Sequence, residues 1–287
     1  MKRQGRVRFA FVGPAFTIVA IFVLVPLLAT VALSLTSWAG FGLHTIKWAG
    51  ADNYIRAVND GVLGLALLHT LVFVVVMTLL VNLAGFSAAV LINERLAGSS
   101  FLRISMFLPL AVSPVVTSLL WFQIIGPYGI INRVAAAFGA TQPIGFISDP
   151  NLAFYTVLAA SVWQISGIAM LIYYAGLQGL PQERMEAARL DGARYMNRVR
   201  FIVVPYMRPV IASAVVLAMI TAWRIFELVF VLTKGGPARS TEVLATYLFE
   251  QGFVRNQYGY ASVVAIIIAV GAILSTLSRK KIAGDAE

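Results

Sequence analysis

GVLGLALLHTLVFVVVMTLLVNLAGFSAAVLIN, residues 61–93, runs for 33 positions without one charged side chain. A bilayer core is crossed by about 20 predominantly apolar residues in a helix, so the stretch is long enough for one span and too short for two. Its centre, Leu71–Val81, shows no alternation of apolar and polar residues. A strand of a membrane barrel would be about 10 residues long with strict alternation. In lipid the backbone must satisfy its own hydrogen bonds, which a single helix does. Residues 61–93 therefore predict one membrane-crossing helix.

The same pattern recurs outward in both directions. Charge-free stretches cover 9–46, 104–132, 150–182 and 256–278, and 209–233 is interrupted only by Arg224 and Glu227. They predict an all-α membrane protein, a single domain over 1–287 with six transmembrane helices near 10–35, 66–92, 104–125, 153–177, 209–232 and 258–278. The first follows Lys2, Arg3, Arg6 and Arg8, as a signal peptide would. Its apolar run is far longer than a hydrophobic signal core of about 7–15 residues, so it is expected to stay as a span.

Composition agrees. Of 287 residues, 60% are apolar and 12% charged, with mean hydropathy +0.85. Soluble domains hold about 45–50% apolar and about 25% charged residues, and disordered chains are poor in apolar ones. A water-soluble domain and a disordered chain are both excluded. The net charge of +10 would suggest nucleic acid in a soluble protein. Here the basic residues sort by side: fifteen Lys and Arg fall in 1–8, 93–103, 178–208 and 279–287, and six in 36–65, 126–152 and 233–257. Lys and Arg accumulate in cytoplasmic loops, so both termini are expected in the cytoplasm, and the excess charge reads as topology with no nucleic-acid partner. No cysteine is present, which removes disulfides, thiolate metal ligands and thiol nucleophiles. Two histidines, His44 and His69, cannot supply a His-rich metal site.

Loop 178–208 is the unusual one, with nine charged residues. It contains Leu180-Pro181-Gln182-Glu183-Arg184-Met185-Glu186-Ala187-Ala188-Arg189-Leu190-Asp191-Gly192-Ala193. Pro181 suits a first helical turn, and Glu183 and Glu186 lie near the positive end of the helix dipole. Gly192 suits a left-handed C-terminal cap. A short helix over about 182–191 is predicted, with Pro205 and Pro209 marking re-entry into the membrane. A solvated connector needs only a few residues. The length and the helix signals favour a docking element, in which small Ala187 and Ala188 beside Met185 let a partner surface approach.

Glu186-Ala187-Ala188, Asp191-Gly192-Ala193 and, separated from Gly192 by the nine residues 193–201, Ile202-Val203-Val204-Pro205 resemble the EAA motif of ABC-importer permeases, with Val204 where Leu is usual. Phe226-Glu227, Leu232-Thr233-Lys234-Gly235-Gly236-Pro237, Thr241 and Tyr247 resemble the signature of carbohydrate importers. That likeness is to the first permease of maltose and glycerol-phosphate systems. Asn53-Tyr54, Tyr128-Gly129 with Asn132, and Ala175-Gly176-Leu177-Gln178 match as well, and the likeness spans about 9–280. One departure is His69-Thr70, where the family often has Asn-Thr. The resemblance implies the type I importer permease fold and ATP-driven alternating access for a sugar in a bacterial plasma (inner) membrane. It implies a second permease in a heterodimer, two ATPase subunits carrying ATP-Mg, and an extracytoplasmic solute-binding protein docking near 36–65 and 233–257. Glu186, Ala187, Ala188, Asp191, Gly192 and Ala193 are then the ATPase-coupling residues. Lys234, Gly235, Gly236 and Pro237 are candidates for the periplasmic gate or the binding-protein contact.

On residue chemistry alone, Lys234–Pro237 forces a tight break. Ser240 or Thr241 is expected to cap a short helix reaching about Phe253, with Val243, Leu244, Tyr247 and Leu248 on its apolar face. That helix either seals the bundle or receives a partner. Arg224 and Glu227 are spaced i,i+3 and are expected to share one helix face, as a structural ion pair or as part of a solute pathway. Trp163, Gln164 and Ser166 are the other pathway candidates, since an aromatic face beside a polar group suits a sugar ring; the competing role for Trp163 is packing. Asn82, Ser87, Ser113, Thr117 and Gln123 are expected to bond between helices. Gly85 with Ser87 would allow close packing, and Pro109 and Pro114 should kink span three.

No phosphate loop G-x-x-x-x-G-K-[ST], nucleophile elbow or H-E-x-x-H occurs. The chain is expected to be no enzyme and to hold no cofactor or metal itself. An ion-coupled secondary transporter would show several intramembrane acids or paired broken helices, and Glu227 stands alone. An intramembrane enzyme lacks a catalytic constellation.

Overall fold

The computed structural model describes residues 13–94 and 98–279. Among them, six stretches are long and apolar enough to cross a membrane. Five are continuous helices: α1 (Gly13–Ser34), α3 (Gly61–Asn93), α7 (Pro150–Gln178), α9 (Tyr195–Trp223) and α12 (Tyr258–Leu277). The sixth, Pro114–Ala137, is divided by a turn into α5 (Pro114–Ile125) and α6 (Ile130–Ala137). Shorter helices are α2 (Asp52–Asn59), α4 (Ser99–Ala111), α8 (Gln182–Leu190), α10 (Glu227–Leu232) and α11 (Leu244–Phe249). Residues 10–12 of the first expected span, and the charges at 1–8, at Arg95 and beyond 279, lie outside the described residues.

Two spans differ from expectation. The third is α4 followed by α5, parted at Val112–Ser113. Proline disfavours helical backbone at its predecessor, and Ser113 is extended, with ψ 148°. Its hydroxyl accepts from the Val116 amide, capping α5 instead of bonding between helices. Pro109 sits inside α4 without breaking it. The fifth span starts earlier than expected, at Tyr195, and passes through Pro205 and Pro209 before ending at Trp223. A π turn, Val199–Val203, precedes Pro205, just as Ala20–Leu24 precedes Pro26 in α1. Each widened turn absorbs the hydrogen bond and the space that proline takes from the ladder. Residues 224–226 then interrupt the span, and Phe226 leaves helical backbone at φ −136°.

The chain forms two compact units. One takes its described residues from Met1–Gly64 and Tyr247–Ala269. Asn53 donates to the carbonyls of Ser34 and Thr36 at 2.9 and 2.8 Å, and Tyr54 bonds Ser34 Oγ at 2.7 Å. These two residues fasten the exit of α1. Asp60 accepts from the amides of Val62 and Leu63 at 3.0 and 3.2 Å, which caps α3, and from the hydroxyls of Tyr247 and Tyr260. Burial raises its pKa, but those hydrogen bonds outweigh burial and hold the carboxyl below the ordinary value.

The other unit takes Leu65–Thr246 and Val270–Glu287 and is built on α7. A Cβ on Gly85 of α3 would come within 2.6 Å of Ala169 Cβ, and one on Gly167 within 2.2 Å of the Met106 carbonyl of α4. One on Gly176 would meet Met207 of α9 at 2.8 Å. Small residues let membrane helices touch backbone to backbone, and these three set how α3, α4 and α9 lie on α7. Tyr173 donates to Asn82 Oδ1 at 2.5 Å, and Gln164 to Thr117 Oγ1 at 3.4 Å, so Asn82 and Thr117 do bond between helices.

Candidate functional site

Two interruptions of the second unit, between α4 and α5 and between α9 and α10, face one cavity of about 390 Å³. Leu110, Val112 and Pro114 come from the α4–α5 break, and Thr221, Arg224, Ile225, Glu227 and Leu228 from the α9–α10 break. Gln164, Ile165 and Ile168 of α7 form the remaining wall. Non-helical backbone at membrane depth is tolerated only where it is buried in protein or lines a water-filled cavity, so breaks and cavity require each other. The volume lies within the usual range for small-molecule pockets, about 300–1,000 Å³.

The structure separates the sequence candidates. Arg224 and Glu227 do not share a helix face, because Arg224 ends α9 and Glu227 begins α10. Among the described residues no ion pair joins them; both are exposed on the cavity wall. Gln164 is buried beside the cavity, 7% exposed. Trp163, one position earlier, is rotated off that wall. It is 38% exposed and meets Trp121 edge-on at 5.8 Å. Among the described residues, no aromatic side chain lines this cavity.

Glu186, Ala187 and Ala188 of the coupling candidates lie on α8, and Asp191, Gly192 and Ala193 on the turn that ends it. Pro181 precedes the helix as its N-cap instead of occupying the first turn. Gly192 has φ +74°. Its amide donates to the Arg189 carbonyl at 3.1 Å, and the Ala193 amide to the Ala188 carbonyl at 2.9 Å. This is the paired ending that a left-handed glycine permits. Glu186, Ala187 and Asp191 are exposed, and Leu190 is 89% exposed, an apolar side chain standing clear on a charged helix. Ala187, Ala188 and Asp191 line an open groove of about 590 Å³ together with Ile202 and Pro205 from the start of α9. Two segments separated in sequence by residues 192–201 thus form one surface.

In the Gly-Gly-Pro loop, Lys234 and Gly235 take φ +52° and +84°, and a Cβ on Gly235 would lie 2.7 Å from Glu242 Oε2. Thr241 does not cap a helix. It donates to the Gly236 carbonyl at 2.8 Å and bonds Thr233 Oγ1 at 2.7 Å. Ser240 is no cap either; Thr246 Oγ1 accepts the Val243 amide at the start of α11. Buried Glu242 pairs with Arg239 at 3.0 Å and accepts from Thr246 at 2.6 Å. His69 Nδ1 bonds the Glu242 carbonyl at 2.9 Å, and Thr70 accepts the Leu244 amide at 2.9 Å. Sequence reasoning attached no role to His69-Thr70, which clamp this loop to α3. A histidine and a threonine inside an otherwise apolar run were the available signal.

Residues 81–283 match the family described as binding-protein-dependent transport system inner membrane component. The lactose transport system permease protein of Rhizobium radiobacter is 33% identical, covering 93% of this chain and 91% of its own. The trehalose/maltose transport system permease protein of Thermococcus litoralis is 29% identical, covering 98% and 94%. A crystal structure of a bacterial alginate ABC transporter in complex with an alginate pentasaccharide-bound periplasmic protein superposes with TM-score 0.82. Its identity is 20%, over 97% of this chain and 94% of that one.

Proposed function

The chain belongs to the binding-protein-dependent transport system inner membrane components, and on that premise we propose that it is the permease subunit of an ABC importer carrying a sugar or sugar derivative by ATP-driven alternating access. The observation that carries the reading is the exposed helix α8, whose two ends run into α7 and α9, the helices that wall the cavity. A push on α8 reaches the cavity through two covalent paths. Glu186, Ala187, Ala188, Asp191, Gly192 and Ala193 form the surface that receives an ATPase, and Leu190 stands within it.

ATP-Mg is held and hydrolysed by two ATPase subunits, and this chain contributes no catalytic group. A second permease closes the open side of the cavity, where Arg224 and Glu227 face water and solute. The excess of Lys and Arg in 1–8, 93–103, 178–208 and 279–287 supports cytoplasmic termini in a bacterial plasma membrane. The loops 36–65 and 233–257 then face the binding protein. Lys234–Pro237 form a rigid part of that face, since His69 and Thr70 hold their loop to α3.

Reconstitution tests this. The chain is co-expressed with a candidate partner permease, ATPase and binding protein from the same genome, placed in liposomes, and offered a panel of labelled sugars. Uptake is expected only with ATP inside and binding protein outside. Uptake driven by an ion gradient without ATPase subunits would refute it.

A further inference from the structure

The helix α8 has two unlike faces. Met185 and Arg189 share one i,i+4 row, and Glu186 and Leu190 the neighbouring row. Met185 is 8% exposed, whereas Glu186 and Leu190 stand in the open. Met185 lines a polar cavity of about 360 Å³ along with Ile92, Leu177 and Leu180, all buried. Across the same cavity Arg189 meets Glu94 at 4.0 Å. Beside them Gln178 donates to Asn93 Oδ1 at 3.0 Å, and Arg103 to the Tyr174 hydroxyl at 3.1 Å. The covalent chain joins α8 only to α7 and α9, yet the Arg189 pair reaches the end of α3. An exposed ion pair alone holds little; the buried Met185 side chain supplies grip, and the pair sets register.

We propose that Met185, Arg189 and Glu94 form a strap that fastens the coupling helix to the end of α3, so that α8 and the ends of α3 and α7 move as one body. Force on the exposed row, Glu186 and Leu190, then reaches α3 directly as well as through the covalent ends of α8. Glu94 and Arg189 are positioning residues in this arrangement, outside the surface that meets the ATPase. The inference rests on the importer reading.

The chain has no cysteine, so Glu94→Cys with Arg189→Cys introduces its only thiols. In the whole complex these are bridged with a short bis-methanethiosulfonate, and ATP-driven uptake is followed before and after bridging. A strap that moves as one body tolerates the bridge, and uptake is expected to continue unchanged. Bridging that stops uptake overturns the proposal, because α8 would then have to swing against α3. Charge reversal supplies the second measurement. Glu94→Arg should lower solute imported per ATP hydrolysed by about fivefold or more, the lower end of ordinary coupling between sites. Glu94→Arg with Arg189→Glu should recover it while the ATPase subunits co-purify equally in every variant. An unchanged ratio in the single reversal, or no recovery in the assembled swap, also overturns the strap. Absence of ATP-driven uptake in the unmodified complex would instead sink the importer reading, and the strap with it.

Discussion

Gly192 tests the coupling surface most sharply. Its φ of +74° lies in the left-handed region, and a Cβ there would find no atom within 4 Å. Substitution therefore meets no steric obstacle, and any cost is conformational. A left-handed backbone costs an L-residue about 1–2 kcal/mol, which converts to about 5- to 30-fold in the population of the native turn for Gly192→Ala. Asparagine visits this region more readily, so Gly192→Asn should fall nearer the parent. Proline cannot reach it, since its ring holds φ near −65°. Gly192→Pro also removes the amide that donates to the Arg189 carbonyl at 3.1 Å, a bond worth about 0.5–1.5 kcal/mol net. The order expected for uptake in reconstituted vesicles is Gly, Asn, Ala, Pro, with proline losing more than the about 30-fold upper limit for alanine. Cavity and spans are untouched, so the variants should insert and purify normally. A Gly192→Pro complex that assembles and imports at the parent rate would refute the coupling assignment, and equal losses for alanine and proline would refute the backbone argument.

Ile168→Trp fills the cavity from α7 and should block uptake while leaving assembly intact, as read by co-purification. Gly167→Ala places a Cβ 2.2 Å from a backbone carbonyl that cannot rotate away; overpacking of about 1–3 kcal/mol should appear as a lower Tm in detergent. His69→Ala removes the bond to the Glu242 carbonyl and should raise hydrogen exchange in 233–246, by about 0.5–1.5 kcal/mol of local opening. Asp60 carries a pH dependence. Its carboxyl titrates below the ordinary value in the folded protein, so its stabilising effect is full above the unfolded pKa and is lost as pH falls through the folded one. Asp60→Asn should lower Tm at neutral pH and make no difference in strong acid. Burial, and then the bond to Asp60, push the Tyr247 hydroxyl from 10.0 up to about 12. It stabilises fully below pH 10 and loses that effect as pH rises from 10 to about 12, a loss that Tyr247→Phe should remove.

Much was legible along the chain because lipid imposes a local rule. Whether residues 61–93 cross a bilayer depends on their own side chains and backbone, so charge-free length alone indicated six spans, although the third and fifth lie elsewhere along the chain than expected. The helix at α8 was legible for a similar reason: Pro181, the glutamates and Gly192 act within a turn or two of themselves. The limits of that locality show at Pro109 and Pro114. Both are prolines in one span, yet only Pro114 parts it, with the preceding Ser113 extended and capping the new start. They show again at Arg224 and Glu227, where i,i+3 spacing implies a shared face only if the helix continues.

By itself, then, the sequence determined a six-span helical membrane protein and a loop helix with a left-handed end. Those depend on transfer into lipid and on short-range backbone geometry. Only the tertiary structure decided which faces meet. Spans that are apolar on every side carry little record of their inward direction. Gly85, Gly167 and Gly176 set that direction by contacts with residues far off in the chain. From it follow a cavity at two helix breaks, a Trp163 turned away from that cavity, and a His69 that holds the Gly-Gly-Pro loop in place.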